Sequence, residues 1–330
     1  MNAVIADLIG RLELGDPVGD GGLTLIPVFG RFEGVSEFVT LEEGIASGVL
    51  VVNEMSESGA VPMLRAHNRG AVGVLILDGE ELTGAKQNRV LNTTVYIKPG
   101  QEIVIPVSCT EAGRWSYRSK SFGDSGYVAA PAIRVAAQES VTANVRRSGA
   151  YQSDQGRVWN EVSLLQERHN LSSPTSAARD VYENKSDDMR RREAAFKCLP
   201  GQTGLFALWS GQVAGLDVVA GEKVYARLHG RLVRSYALDA PAGSPSSQGD
   251  DRRTAQEWME RLPAVETTEH GSPGAGISYR FAGRGVVGSA LAVDGAVLHA
   301  VAFATESGPG PDPNQSRYPG FFERRAQFPW

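Results

Sequence analysis

Residues 77–115 read LDGEELTGAKQNRVLNTTVYIKPGQEIVIPVSCTEAGRW. This stretch contains two apolar, strand-like runs, residues 90–97 and 102–107, joined by Lys98-Pro-Gly-Gln. The proline and the glycine stand where a type II turn requires them. Short apolar runs at residues 23–29, 50–52 and 72–77 precede the stretch. Short strands at close spacing, joined by turn residues, are typical of β-sandwiches and barrels, so a sandwich is predicted for the first part of the chain.

Two local signals refine this prediction. Pro106 cannot donate a ladder hydrogen bond, which favours an edge position for its strand or an end of that strand. Thr40 and Glu43 have the spacing of a capping box, which predicts a short helix that ends near Gly48.

The hydrophobic period changes from Pro131 onwards. Val158, Trp159, Val162 and Leu165 recur at helical spacing and predict a helix over about residues 155–169. A second helix is predicted from a Ser186 cap to about residue 197, and another apolar helical stripe runs over residues 224–236. Strands are predicted at 204–209, 276–281, 285–293 and 296–304, with a hairpin turn at residues 294–295.

These elements predict an α+β protein: an N-terminal β-sandwich, in one version jelly-roll-like, packed with a helical middle and a C-terminal α+β layer. The predicted parts are a β-rich domain at 1–130, a helical segment at 131–200 and an α+β part at 201–330 with an extended aromatic tail. We expect them to form one continuous globule because 330 residues suit one large domain or two closely packed ones.

Composition narrows the classes of function. The formal net charge of −5 gives no support for nucleic-acid binding. No apolar stretch is long enough to cross a bilayer and no secretory signal begins the chain, so a cytoplasmic protein is expected. Two cysteines exclude a disulfide framework. The cysteines and five scattered histidines have no metal-ligand spacing, so no metal is predicted, and no cofactor is indicated.

The candidate site lies in the stretch quoted first. Lys86-Gln87-Asn88-Arg89 offers two cations and two amides, which could bind a phosphate or carboxylate and read a base, a ribose or an amide. The predicted ligand-binding residues are Glu81, Gln87, Asn88, Arg89, Asn92, Arg114 and Trp115. The predicted catalytic residues are Glu80, Lys86, Cys109 and Glu111.

Each of these residues also has a structural interpretation. Carboxylates beside the cluster could neutralise Lys86 and Arg89 and tie down a loop, since ion-pair networks and sites look alike in sequence. Cys109 has no local histidine to act as a base, and cysteine is among the most buried residue types, so a structural role is favoured for it. Salt bridging is likewise favoured for the glutamates.

The stretch resembles the ARG and rhodanese-phosphatase-superfamily-associated protein family. The resemblance rests on residues 78–92 and 105–115, with Ser153-Asp-Gln, Val158-Trp159 and residues 232–240 in addition. The family is named for its gene neighbours, which include ADP-ribosylglycohydrolases, so the resemblance implies an association with ADP-ribose or NAD metabolism. A weaker likeness, of residues 99–108 to the second cupin motif, concerns the fold alone, because Glu111 stands where cupins carry a metal-binding histidine.

Two hypotheses of function follow. In the first, the protein is a small-molecule enzyme or binder for an anionic, nucleotide- or ADP-ribose-like ligand. In the second, it is a non-catalytic interaction or scaffold protein in which the cluster is an internal clamp. In that case the aromatic tail, with Tyr318, Phe321, Phe322, Phe328 and Trp330, meets a partner protein or a second copy of the chain.

Overall fold

A computed structural model describes residues 1–55, 62–111, 113, 119, 121–241 and 250–305. Candidate residues Arg114 and Trp115 and the aromatic tail from residue 306 lie outside the described residues. Within them the chain forms eight α-helices and 18 strands, which confirms the predicted α+β class.

The strands are β1 (Glu13–Leu14), β2 (Val18–Asp20), β3 (Leu23–Phe29), β4 (Phe38–Thr40), β5 (Leu50–Glu54), β6 (Met63–Asn68), β7 (Gly73–Ile76), β8 (Glu80–Gly84), β9 (Arg89–Leu91), β10 (Val95–Ile97), β11 (Glu102–Cys109), β12 (Phe122–Val128), β13 (Gly204–Trp209), β14 (Gln212–Val219), β15 (Thr267–Gly271), β16 (Ile277–Gly283), β17 (Val286–Val293) and β18 (Ala296–Ala304). The helices are α1 (Ala3–Gly10), α2 (Leu41–Ala46), α3 (Pro131–Ser148), α4 (Gln155–Arg168), α5 (Ala178–Asn184), α6 (Ser186–Ala195), α7 (Glu222–Asp239) and α8 (Asp251–Arg261), with a 3-10 turn at Leu262–Ala264.

The largest sheet has nine strands in the order β1-β3-β13-β14-β18-β17-β16-β15, with β2 paired to β3. Both of its faces are covered by apolar side chains. Leu205 and Phe303 pack towards α7 on one face, and Phe206 and Phe281 pack with Trp258 of α8 on the other. Strand β3, from the first thirty residues, pairs antiparallel with β13, so the N-terminal end of the chain is built into the C-terminal sheet.

Two smaller sheets form the part that carries the candidate site. A six-stranded antiparallel sheet has the order β12-β8-β9-β11-β6-β5, and a three-stranded sheet has the order β10-β7-β4. Their apolar side chains share one core, in which Val74 and Ile97 of the smaller sheet meet Leu82 and Ile105 of the larger one. The α3–α6 helices pack around a further core that includes Val162 and Tyr182.

Pro106 is neither at a sheet edge nor at the end of its strand, which corrects the prediction. It lies inside β11, where pairing with β6 ends at Pro106 and pairing with β9 begins at Val107. A proline is tolerated there because the ladder changes partners at that residue.

The helices confirm some of the local signals. Thr40 and Glu43 form the predicted capping box at the start of α2. Helix α4 begins after Asp154, whose side chain accepts from two backbone N–H groups. The Ser186 prediction was wrong in detail: Ser186 is the first helical residue, and Lys185 occupies the N-cap position without a side-chain cap. Helix α3 was not predicted, because most of its positions are buried and it shows little helical periodicity.

Candidate functional site

The Lys-Gln-Asn-Arg cluster lies on the connection from β8 to β9. Gly84 and Ala85 both have positive φ, at 118° and 40°, which turns the chain sharply after β8. Arg89 then begins β9, opposite Leu82 on one side and Cys109 on the other. The turn therefore places the cluster beside the C-terminal end of β11.

Arg89 is the central charged group of the cluster. Its side chain is 1 % exposed. Nη1 donates to Gln87 Oε1 at 2.8 Å and contacts Cys109 Sγ, while Nη2 lies 3.8 Å from Glu54 Oε1. Within the described residues, Nε and both Glu54 carboxylate oxygens have no hydrogen-bond partner. Buried charged groups are normally hydrogen-bonded, so this ion pair leaves polar atoms unused.

The three amide residues of the predicted site, Gln87, Asn88 and Asn92, are buried and hydrogen-bonded inside the protein. Gln87 donates from Nε2 to the Glu111 carbonyl at 2.8 Å, and its Oε1 accepts from Arg89. The Asn88 backbone N–H donates to Glu111 Oε2 at 3.2 Å. Asn92 accepts from the Ser108 hydroxyl at 2.6 Å and donates to the Tyr151 carbonyl. The bonds to Glu111 and Ser108 hold the connection and β9 beside β11, and the bond to Gln87 orients Arg89.

The side chains of Glu80 and Glu81 lie on opposite faces of β8, because successive side chains of a strand alternate between its two faces. Glu80 accepts from the Leu77 backbone N–H at 2.8 Å and from Arg231 at 3.2 Å. Glu81 accepts from the Thr110 hydroxyl at 2.9 Å. Burial raises the pKa of each carboxyl to about 7, against the lowering effect of Arg231 on Glu80 and of the Thr110 hydroxyl on Glu81.

Cys109 and Lys86 differ in exposure. Cys109 is fully buried, and burial raises the pKa of its thiol although Arg89 lowers it. Its backbone N–H and carbonyl form a pair of hydrogen bonds with the side chain of Gln155, at 2.8 and 2.9 Å, which fastens α4 to the end of β11. Lys86 lies on the turn and is half-buried. Glu111 forms an isolated β-bridge with Ala177.

A buried ionic hub between the sheets was not predicted. Arg134 of α3 donates to Asp217 from Nη1 and Nη2 at 2.9 and 2.7 Å, and to Asp78 from Nε at 3.2 Å. Asp217 also accepts from the Tyr236 hydroxyl at 2.7 Å. Burial would raise the pKa of Asp217, but Arg134 holds it well below its usual range. A signal was present in the sequence, since Asp217 interrupts the apolar run of β14 and Arg134 that of α3.

Two further buried arginines connect the elements. Arg231 of α7 binds Glu80, Asp124 and Glu42, the last two at 2.7 Å. Arg280 of β16 is fully buried, and within the described part of the chain it pairs with no carboxylate. Its donors reach two threonine hydroxyls and the Gln138 carbonyl at 3.3–3.4 Å. Burial lowers the pKa of Arg280 to about 10.

Across the described ranges, no group of three or more histidine, cysteine, aspartate or glutamate side chains is arranged to hold a metal ion. None of the helices that the structure describes has the length and apolar character needed to cross a membrane.

Comparison with known proteins gives one result. Residues 11–303 match the ARG and Rhodanese-Phosphatase-superfamily-associated Protein domain, and the chain belongs to this family. The match covers the candidate cluster, the ionic hub and all three sheets. No curated protein and no solved structure matches the chain.

Proposed function

We propose that this member of the family binds an anionic small molecule of the nucleotide or ADP-ribose class, with Arg89 as the group that holds the anion. The ligand class rests on the two cations of the cluster and on the association recorded in the family name. Association is a weaker argument than geometry, so the proposal depends chiefly on Arg89.

The observation that carries the proposal is the incomplete bonding of the Arg89–Glu54 pair. The pair is held at 3.8 Å, which is too long for a hydrogen bond. A guanidinium has five N–H donors in a fork that matches a phosphate or carboxylate. In the described structure, Arg89 donates to protein acceptors only through Nη1. A ligand anion that takes the place of Glu54 would satisfy Nε and Nη2 together.

The other cluster residues then have distinct roles. Gln87 positions Arg89 by accepting a hydrogen bond from it, and Lys86, half-buried on the turn, adds a second positive charge. Cys109 and Glu111 adjoin Arg89 and Asn88 and remain the proposed catalytic groups. Arg114 and Trp115 remain proposed ligand contacts. Glu80 is assigned to structure instead, because its carboxylate faces Arg231.

A specific observation favours a second candidate function, the internal clamp of a scaffold protein. Gln87, Asn88 and Asn92 are at most 3 % exposed and have protein partners. The cavity between β2, β3 and α7 is lined by none of these residues. If the cluster is a clamp, removing Arg89 costs stability and no ligand binds there.

The test is a thermal-shift and calorimetric titration of the whole chain with ADP-ribose, NAD, AMP and inorganic phosphate. Binding should raise the melting temperature of the wild type. Arg89→Gln should weaken binding about 10- to 100-fold, because the charge-assisted hydrogen bonds to the ligand are lost. Lys98→Gln, a change of an exposed cation in the same half of the chain, is the matched control and should bind as the wild type does.

The outcomes separate the two candidates. If none of the four compounds shifts the wild-type melting temperature, and Arg89→Gln melts far below the wild type, the clamp stands and the binding proposal fails. If Lys98→Gln loses as much affinity as Arg89→Gln, the binding site lies elsewhere.

A further inference from the structure

We propose a second binding site, separate from the Arg89 cluster, in a cavity of about 310 Å³ that takes a compact organic acid with an apolar body. The cavity lies between β2 and β3 at the edge of the nine-stranded sheet, the segment after α6, the start of β13, and α7. None of the residues predicted from the sequence as a site lines it.

The interior of the cavity offers mainly apolar surface. Leu25, Leu205 and Phe196 are buried core residues that also line it. A volume of about 310 Å³ is at the low end for ligand pockets, which run from about 300 to 1,000 Å³ and are mostly apolar. The size therefore suits a single ring or a short branched chain.

The polar groups of the wall are already bonded to each other. His229 Nε2 lies 2.6 Å from the Phe196 carbonyl, which can only accept, so Nε2 carries the proton. Burial lowers the pKa of His229, which favours the neutral ring, and Nδ1 then accepts from the Tyr225 hydroxyl at 3.0 Å. Gln202 donates to the same hydroxyl at 3.0 Å and to the Gly204 carbonyl. A guest therefore finds few polar groups to bond inside.

Exposed apolar side chains surround the mouth of the cavity. Val18 and Leu199 are each 42 % exposed, and both line the cavity. They are two of only five large hydrophobic side chains exposed in the described residues, which is a second sign of a binding surface.

The charges at the mouth favour an acid. Lys197 lines the cavity, and no carboxylate of the described residues forms an ion pair with it. The lining carboxylate, Asp16, is 3.4 Å from Arg252, which offsets its charge. An acid with its ring in the cavity would place its carboxylate beside Lys197.

The test is a titration of the whole chain with benzoate and, as the neutral comparison, benzyl alcohol, followed by methyl NMR. Benzoate should shift the methyl signals of Leu25, Leu199 and Leu205. Benzyl alcohol should shift the same signals with lower affinity. Lys197→Gln should weaken benzoate about two- to fivefold, as expected for one exposed ion pair, and leave benzyl alcohol unchanged.

A pair of neighbouring variants locates the site. Ala195 is exposed and lines the cavity, whereas Ala194 is exposed and does not. Ala195→Trp should fill the mouth and abolish the methyl shifts, and Ala194→Trp should keep them. Arg89→Gln should also keep them, which makes this result independent of the function proposed for the cluster.

Three outcomes would overturn the proposal. Methyl shifts that survive Ala195→Trp, or an absence of shifts at the three leucines, would mean that the cavity binds neither compound. Equal affinities for benzoate and benzyl alcohol would refute the preference for an acid.

Discussion

Replacing Arg134 by methionine should cost the fold about 4 kcal/mol at neutral pH. The side chain is completely buried between Asp78 and Asp217, and removing one partner of such a pair costs about 3–5 kcal/mol. We take the cost of one pair, not two, because Tyr236 and Gln138 still donate to the two carboxylates in the variant. A stable domain has about 5–15 kcal/mol in total, so the variant should fold but unfold at much lower urea concentration.

The assay is urea unfolding at pH 7, with Arg190→Met as the control. Arg190 is 68 % exposed and pairs with Asp187 within one helix, so its loss should change the free energy of unfolding by less than about 0.5 kcal/mol. A cost below about 1 kcal/mol for Arg134→Met would refute the account of the hub as the ionic connection between the sheets.

The same variant has a pH signature. In the wild type, Arg134 holds the pKa of Asp217 below its ordinary value of 3.8, so this stabilisation is present above that pH and is lost as the pH falls through the folded value. In the variant the lowering effect of Arg134 on this pKa is absent, and burial, which raises the pKa, is opposed mainly by His299, 3.3 Å away, so the folded state gains protons at a higher pH than in the wild type. The difference in stability between the two proteins should therefore narrow between pH 7 and about pH 4. A difference that widens would contradict the argument.

Three further predictions concern single positions. Burial raises the pKa of Glu81 from 4.5 to about 7. The free energy of unfolding of the wild type should therefore fall by up to ~3 kcal/mol through this group as the pH rises through that range. Urea unfolding of Glu81→Gln should not show this fall. Gly79→Ala would place a Cβ 2.8 Å from Arg134 Cδ, whereas Gly126→Ala, at a nearly equal positive φ, meets nothing within 4 Å. Backbone strain should lower the free energy of unfolding of both variants by about 1 kcal/mol, and the clash should lower that of Gly79→Ala by about 2 kcal/mol more. Equal free energies of unfolding for the two variants would exclude the clash. Thr40→Ala should lower stability by about 1 kcal/mol through the capping box of α2, measured by thermal unfolding, and an unchanged melting temperature would contradict it.

Much of the fold could be predicted where a continuous apolar run or an apolar stripe at helical spacing marks an element. Strands β13 and β18 are almost entirely buried and have the predicted limits, and α7 carries the predicted stripe with Leu228 and Leu232 buried. The hairpin at Asp294 and Gly295 was also predicted, and both residues have positive φ. These signals are local, so a single sequence contains them.

Long-range pairings could not be predicted from the same sequence. Nothing in β3 identifies β13, about 180 residues later, as its neighbour. Helix α3 was not predicted because its buried Arg134 and Gln138 interrupt the apolar pattern that indicates a helix. The partner of Arg89 is Glu54, which stands well before the stretch in which the cluster was recognised.

The candidate site shows why a concentration of charged residues does not by itself distinguish a ligand site from an internal clamp. Arg89 and Arg134 are both buried; among the described residues, Arg89 faces one carboxylate, Glu54, and Arg134 faces two, Asp78 and Asp217. Arg134 donates from Nε, Nη1 and Nη2 to two aspartates, so a ligand would have to break bonds that already exist. Arg89 donates through Nη1 alone within the described residues, and its carboxylate neighbour accepts no hydrogen bond. A buried cation with unused donors gains free energy from a new acceptor, whereas a saturated one does not. This difference between two arginines is what places the proposed anion at Arg89 and not at the hub.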